Sequence, residues 1–344
     1  MNQSKSKFVF ILTLALVFAL IFPMTGVNAA AVPSFVALGD STGFGLSAFP
    51  DPEVRDIATL YGFNDQFADY LAGRYGAVSY TNMALPGDKT RDLQAKLQDP
   101  AVRTLVRNAR FMTVSIGGNN LLGPAIEAIF GLWGVDPADY TDPDGKDMLD
   151  ALAAAIAAKY AENPYYNPMD DFARLMDLTD PCAIAFHKAL LQGVADFKKE
   201  WPDIASQIRK LNRRGELYVT TVHNPLQVSS SSDPIYPLYL EFETLLGAIN
   251  LTIRAYALTY GYRVVDSNRV IKSTPGAVDF DIAGAIAATT MMVQLGNSDP
   301  FYPAYYLAFL QKTDPHPTYI GHTAIYNQLV VVKRNTPSWY WLLR

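Results

Sequence analysis

The chain has 344 residues, half of them apolar and 18% charged, which excludes a disordered protein and leaves enough chain for one large core. Lys and Arg number 28 against 33 Asp and Glu, a formal charge of −5, so no basic excess exists to neutralise a phosphate backbone and nucleic acid is excluded as a partner. A single cysteine, Cys182, excludes an intrachain disulfide framework and a cysteine-built zinc site.

Residues 1–31 read as an export signal. Lys5 and Lys7 precede a run from Phe8 to Phe22 that is apolar but for Thr13, and the small residues Val27-Asn28-Ala29 and Ala30-Ala31 offer cleavage after Ala29 or Ala31. An uncleaved N-terminal anchor is the alternative, although the run is short of the ~20 residues a spanning helix needs. Either reading puts the protein outside the cytoplasm, secreted or at the cell surface. Removing the segment leaves 26 basic against 33 acidic residues, a formal charge of −7.

The remainder, 32–344, has no fixed-period repeat and no low-complexity linker, and reads as one domain. Short β-rich runs are predicted at 34–38, 78–82, 111–116, 217–222 and 263–265, with helical spacing between them at 66–71, 92–97, 240–260 and 323–332. Strands alternating with helices predict a parallel sheet covered on both faces. About a hundred residues separate the third and fourth runs. That interval is helix-rich at 148–160 and 184–197, and it predicts a helical insertion over about 121–200.

The first run ends in Leu38-Gly39-Asp40-Ser41-Thr42-Gly43, a serine just past the carboxyl end of a strand, where open α/β sheets place their ligands. The stretch satisfies G-x-S-x-G, but the α/β-hydrolase elbow needs an oxyanion strand and loop before the serine, and here the serine follows the first strand. A serine needs a base to become a nucleophile. Of the four histidines, His187 falls in a predicted helix, His223 just after the fourth strand, and His322 near the start of the last helix as a packing residue. His316 lies between Pro315 and Pro317, which restrict the backbone on both sides of the imidazole. The loop after the second strand ends on Gly87, whose N–H can approach a ligand closely, and the loop after the third carries Asn119. Three donors at one sheet edge are what a tetrahedral oxyanion needs.

These motifs resemble, in order, those of the SGNH (GDSL) hydrolase family over residues 35–330. Gly39-Asp40-Ser41 is similar to the nucleophile motif, Gly87 to the lone glycine block, Gly117-Gly118-Asn119-Asn120 to G-x-N-D, and His316-Pro317-Thr318 with Gly321-His322 to the histidine block. The resemblance implies a three-layer α/β/α sandwich with a central parallel five-stranded, flavodoxin-like sheet. It implies ester hydrolysis by Ser41 and His316, an oxyanion hole from Ser41, Gly87 and Asn119, and neither metal nor cofactor. Two positions depart from the pattern. Asn120 replaces an aspartate of mainly supportive role, and the orienting aspartate of D-x-x-H falls on Thr313. Asp314, two before the histidine, is the alternative carboxylate, because Pro315 favours an extended residue 314 whose side chain and that of residue 316 can share a side. A dyad with the imidazole held by a backbone carbonyl is the other possibility.

The expected substrate is a small-molecule, lipid or acylated-carbohydrate ester, with polysaccharide O-deacetylation on the same residues or a non-catalytic surface binding module as alternatives. The aromatic segments 234–242 and 300–309 read as core packing or as a wall for an acyl chain. The acidic turn 142–147 lacks both the Asp-x-Asp-x-Asp-Gly order and a distal Glu, so it does not read as a calcium loop. Trp339 and Trp341 read as packing for the last helix or as a surface anchor, and Cys182 as a small packed residue.

Overall fold

A computed structural model describes residues 32–136, 139, 146–163, 165–226, 231–232, 235–281, 284–285, 288, 291 and 311–337. The export segment, most of the acidic turn, the aromatic segment 300–309, Trp339 and Trp341 lie outside the described residues.

Five parallel strands run in the order β2-β1-β3-β4-β5, with β1 Ser34–Gly39, β2 Ser79–Asn82, β3 Phe111–Ser115, β4 Glu216–Thr220 and β5 Arg263–Val265. Phe35 to Leu38 and Phe111 to Val114 are all but fully buried on both faces, which is why these runs, Thr113 apart, are apolar rather than alternating. The edge strand β2 reads Ser-Tyr-Thr-Asn and is partly exposed, as an unpaired edge requires.

The period-2 alternation divides the core. Val36, Leu38, Met112, Val114, Leu217 and Val219 face α3 (Thr90–Lys96), α4 (Pro100–Asn108), α5 (Gly118–Gly131), α8 (Pro181–Leu211) and α9 (Tyr236–Tyr260). Phe35, Ala37, Phe111, Tyr218 and Val265 face α2 (Phe63–Tyr75), α10 (Ser267–Lys272) and α11 (Tyr319–Asn335). The result is the three-layer α/β/α sandwich. Further helices are α1 (Ser41–Phe44), α6 (Lys146–Glu162) and α7 (Pro168–Ala173).

The helical interval between β3 and β4 holds α5, α6, α7 and α8. α8 begins at the Asp180 cap with Pro181 in its first turn, and Phe186, Leu190, Val194, Phe197 and Trp201 sit in the same cluster as the strand side chains. It is the last helix of the crossover from β3 to β4 and continues for 31 residues, through Pro202. What stands apart is a satellite core around Phe130, Trp133, Leu152 and Ile156. There the Trp133 indole donates to Tyr166 at 2.7 Å, and the Tyr166 hydroxyl donates to Asp171 at 2.6 Å. Of the first aromatic segment, Ile235, Leu238 and Phe242 are buried in the main cluster, which makes them core packing.

The chain leaves the carboxyl end of β1 towards β2 on one side and that of its neighbour β3 towards β4 on the other, so the two connections run in opposite directions. This is the topological switch point, where open α/β sheets bind their ligands. Ser41 follows β1 and Asn119 follows β3, so both lie at that point.

Candidate active site

The turn after β1 is pinned to β3. Gly39 opposes Ser115 in register with φ of +136°, and a Cβ on it would lie 1.8 Å from the Ser115 carbonyl oxygen. This close approach leaves only glycine at the position. The Asp40 N–H donates to that same carbonyl at 2.8 Å, and its carboxylate caps α1 by accepting from the Thr42 N–H at 3.1 Å. Burial pushes the Asp40 carboxyl up to about 7, against the opposing pull of the Gly43 and Thr42 N–H groups. Ser41 is thereby the first residue of α1 and is 5% exposed.

Two amides tether this short helix. Asn64 donates to the Gly43 carbonyl at 2.7 Å, and Asn82, at the end of β2, donates to the same oxygen at 3.2 Å. The Asn64 carbonyl accepts from the Thr113 hydroxyl of β3 at 2.7 Å. Nothing in the sequence marks Asn64 or Asn82 for this role; only the fold brings residues from α2 and β2 onto one carbonyl.

Leu85 to Asp88 form the next wall. The Leu85 N–H donates to the Gly39 carbonyl at 2.9 Å, and the Asp88 N–H closes a turn on the Leu85 carbonyl at 3.2 Å. Pro86 precedes Gly87, whose φ is +87°, the residue pattern of a type II turn. Lys96 anchors this turn through the Asp88 carboxylate at 2.5 Å. The Asn119 amide donates to the Asp88 carbonyl at 3.1 Å. An amide nitrogen has two hydrogens, and this bond uses one. Asn120 is buried behind it, accepting from the Thr90 N–H at 3.2 Å and donating to the Thr90 hydroxyl at 2.8 Å. The substituted position thus locks the turn that carries Gly87 to the start of α5.

His316 reaches this edge from the far end of the chain. Its Nε2 lies 2.8 Å from the Ser41 Oγ, and its Nδ1 lies 2.7 Å from Asp314 Oδ1. The same Oδ1 accepts the His316 backbone N–H at 3.0 Å, an Asx-turn that lets a carboxylate two residues upstream meet the imidazole. Asp314 Oδ2 accepts from the Ser47 hydroxyl and, at 3.0 Å, from the Arg55 guanidinium. Burial alone would raise the Asp314 carboxyl, but His316 and the Ser47 hydroxyl hold it well below the usual carboxylate range.

The other histidines serve the scaffold. His187 bridges Glu241 at 2.5 Å and the Leu175 carbonyl at 3.0 Å. His223 places Nε2 3.4 Å from the Pro315 carbonyl, behind the His316 loop. His322 accepts from the Phe63 N–H at 3.3 Å, which fixes its tautomer so that Nε2–H donates to the Leu46 carbonyl at 3.2 Å. Burial pushes the His223 and His322 imidazoles down to about 4 and about 3. Both stay neutral in the fold at pH 5 while the unfolded chain protonates them below about 6.5, so their contribution is present above that pH and is lost as pH falls towards the folded values. Asp40, protonated more readily in the fold, runs in the opposite direction. Between pH 7 and pH 5 the His322→Gln protein is therefore expected to lose about 2 kcal/mol less stability than the parent. Denaturant unfolding at the two pH values measures this; equal losses would show that His322 is not held neutral.

Among the described residues, no group of three or more His, Cys, Asp or Glu is arranged to hold a metal, and no helix is long and apolar enough to cross a membrane. Cys182 is exposed, not packed as its residue type suggests, because it falls in the first turn of α8 on the side away from the core.

No protein-family model matches the chain, and no curated protein does. Among solved structures, the chain is similar to a lipase from a goat rumen metagenome (TM-score 0.49, 15% identity, covering 88% of this chain and 97% of that one). It is similar to an extracellular lipase from Streptomyces rimosus (TM-score 0.46, 14% identity, 88% and 100% covered). An acetyl xylan esterase from Geobacillus stearothermophilus matches at a TM-score of 0.38 and 13% identity, with 87% and 93% covered.

Proposed function

We propose that the protein is a serine ester hydrolase of the SGNH type, acting through Ser41, His316 and Asp314. The observation that carries this reading is the continuous hydrogen-bonded line from Ser41 Oγ through both imidazole nitrogens to Asp314, at 2.8 and 2.7 Å. Asp314 holds the proton on Nδ1 and leaves Nε2 as the base. His316 takes the Ser41 proton as Oγ attacks the ester carbonyl carbon, then delivers it to the leaving alcohol as the C–O bond breaks. Water, deprotonated by the same nitrogen, releases the acid and returns the proton to Ser41. The N–H groups of Ser41 and Gly87 and the Asn119 amide receive the oxyanion, each such donor contributing about 3 kcal/mol in comparable sites.

The bond between Asp314 and Nδ1 supports this reading over the alternative of a non-catalytic binding module. We place the activity outside the cytoplasm on the charged, apolar and small-residue order of residues 5–31.

p-Nitrophenyl acetate, butyrate and palmitate test the reading together with a fluorophosphonate probe. Turnover of at least one ester and a single adduct located on Ser41 by peptide mass spectrometry are expected. Chain-length preference then separates esterase from lipase, and release of acetate from acetylated xylan marks a deacetylase. Absence of both turnover and adduct would overturn it.

A further inference from the structure

We propose that Ser47 and Arg55 are positioning residues of the hydrolytic site, holding the outer oxygen of Asp314 so that its inner oxygen stays on His316; this rests on the Ser41–His316–Asp314 reading above.

The short spacing creates the need. One oxygen, Asp314 Oδ1, serves both the His316 backbone N–H at 3.0 Å and the ring Nδ1 at 2.7 Å. A modest rotation about the Cβ–Cγ bond would break both bonds at once, so the other oxygen must be held against it. Ser47 and Arg55, both from the segment between α1 and α2, are the groups that hold it.

The backbone at Ser47 is built for that task. Its φ is +66°, and it is the one non-glycine residue with positive φ among the described residues. Its neighbours are fixed on both sides: the Leu46 carbonyl accepts from His322 at 3.2 Å, and the Ala48 carbonyl accepts from the Tyr61 N–H at 3.0 Å. A left-handed serine costs conformational energy, and such strain persists where surrounding contacts over-determine it. Here those two anchors impose it, and the product is a hydroxyl aimed at Asp314.

Arg55 reaches inward from the exposed stretch 51–59. Its guanidinium lies over the Phe49 ring at 5.3 Å from the centroid and 3.0 Å from Asp314 Oδ2, with side-chain exposures of 28% for Arg55 and 15% for Asp314. Phe49 restricts the guanidinium to the carboxylate side. The other groups facing His316 are Ser41, Asp40 at the end of β1, His223 after β4 and His322 on α11. None is altered by a change at Arg55.

The test is kcat and KM for a p-nitrophenyl ester at neutral pH, for folded variants matched by circular dichroism. Arg55→Ala is expected to lower kcat on the order of tenfold with KM nearly unchanged, and Arg55→Lys to return most of that loss. Ser47→Gly, which accepts positive φ without strain, is expected to lower kcat several-fold with KM nearly unchanged. In an Asp314→Asn background, Arg55→Ala should lower kcat no further. An unchanged kcat in Arg55→Ala, or a full loss that persists without the Asp314 carboxylate, overturns the proposal. Ser41→Ala separates the two levels: if it retains turnover, the hydrolytic reading fails. If it is inactive while Arg55→Ala leaves kcat unchanged, only the positioning roles fail.

Discussion

Ser41→Ala is expected to bring ester turnover down to the uncatalysed rate, a loss on the order of 10⁴-fold or more, while the protein stays folded. The change removes one oxygen and leaves the elements that place it intact. The Asp40 cap of α1 and the bonds of Asn64 and Asn82 to the Gly43 carbonyl do not involve the Ser41 hydroxyl. What is lost is the atom 2.8 Å from His316 Nε2. Because nucleophile and base act as one unit, Ser41→Ala combined with His316→Ala should be no slower than either change alone. Multiplying losses would mean the two residues act in separate steps. A melting temperature that falls steeply in Ser41→Ala would mean the hydroxyl serves the fold. The measurement is steady-state hydrolysis of the best p-nitrophenyl ester beside a thermal melt.

Asp314→Asn is expected to lower kcat by about 10²- to 10⁴-fold at neutral pH, with a much smaller change in KM. Asparagine has the shape of aspartate, but one of its two terminal atoms is a donor. Arg55 offers only donors to the outer position, 3.0 Å away, and so selects the amide oxygen there. The amide NH₂ is then turned to the imidazole. It meets the His316 backbone N–H donor and forces Nδ1 to accept, which moves the ring proton to Nε2 and leaves Ser41 facing a donor in place of a base. The alternative, a dyad held by a backbone carbonyl, predicts a change of only a few-fold. A drop that small would transfer the orienting role away from Asp314. The pH dependence adds a second check, since the carboxylate is held below the usual range and remains ionised throughout the neutral and mildly acidic region. Within that region Asp314 itself should add no limb to the profile.

Most of the architecture is legible in the chain. The central strands β1, β3 and β4 appear as short, mainly apolar runs, because strands buried on both faces have little polar side to interrupt them. Their order along the sheet is not in the runs themselves. It follows from which helix covers which face. α8 shows why: residues 184–197 read correctly as helix, but the core side chains Phe186 to Trp201 have the same spacing whether they cover the sheet or an appended lobe. Only the strands they meet distinguish the two. Cys182 shows the same limit, since residue type suggests burial and position on the helix decides exposure.

The site divides along a similar line. Ser41, Gly87, Asn119 and His316 announce themselves because each sits in a short motif whose local backbone is special: a glycine against a neighbouring carbonyl, a Pro-Gly turn, a loop after a strand, a histidine between prolines. The sequence by itself determined these residue types, their order and their places at the carboxyl ends of strands. Tertiary structure alone decided that Asp314 meets the ring through an Asx-turn despite its short spacing, that Ser47 and Arg55 grip its far oxygen, and that Asn64 and Asn82 converge on one carbonyl. Local motifs are written in backbone geometry, which depends on neighbours in sequence. A hydrogen bond between residues 47 and 314 depends on the packing of helices and strands in between, and that packing is a property of the whole core.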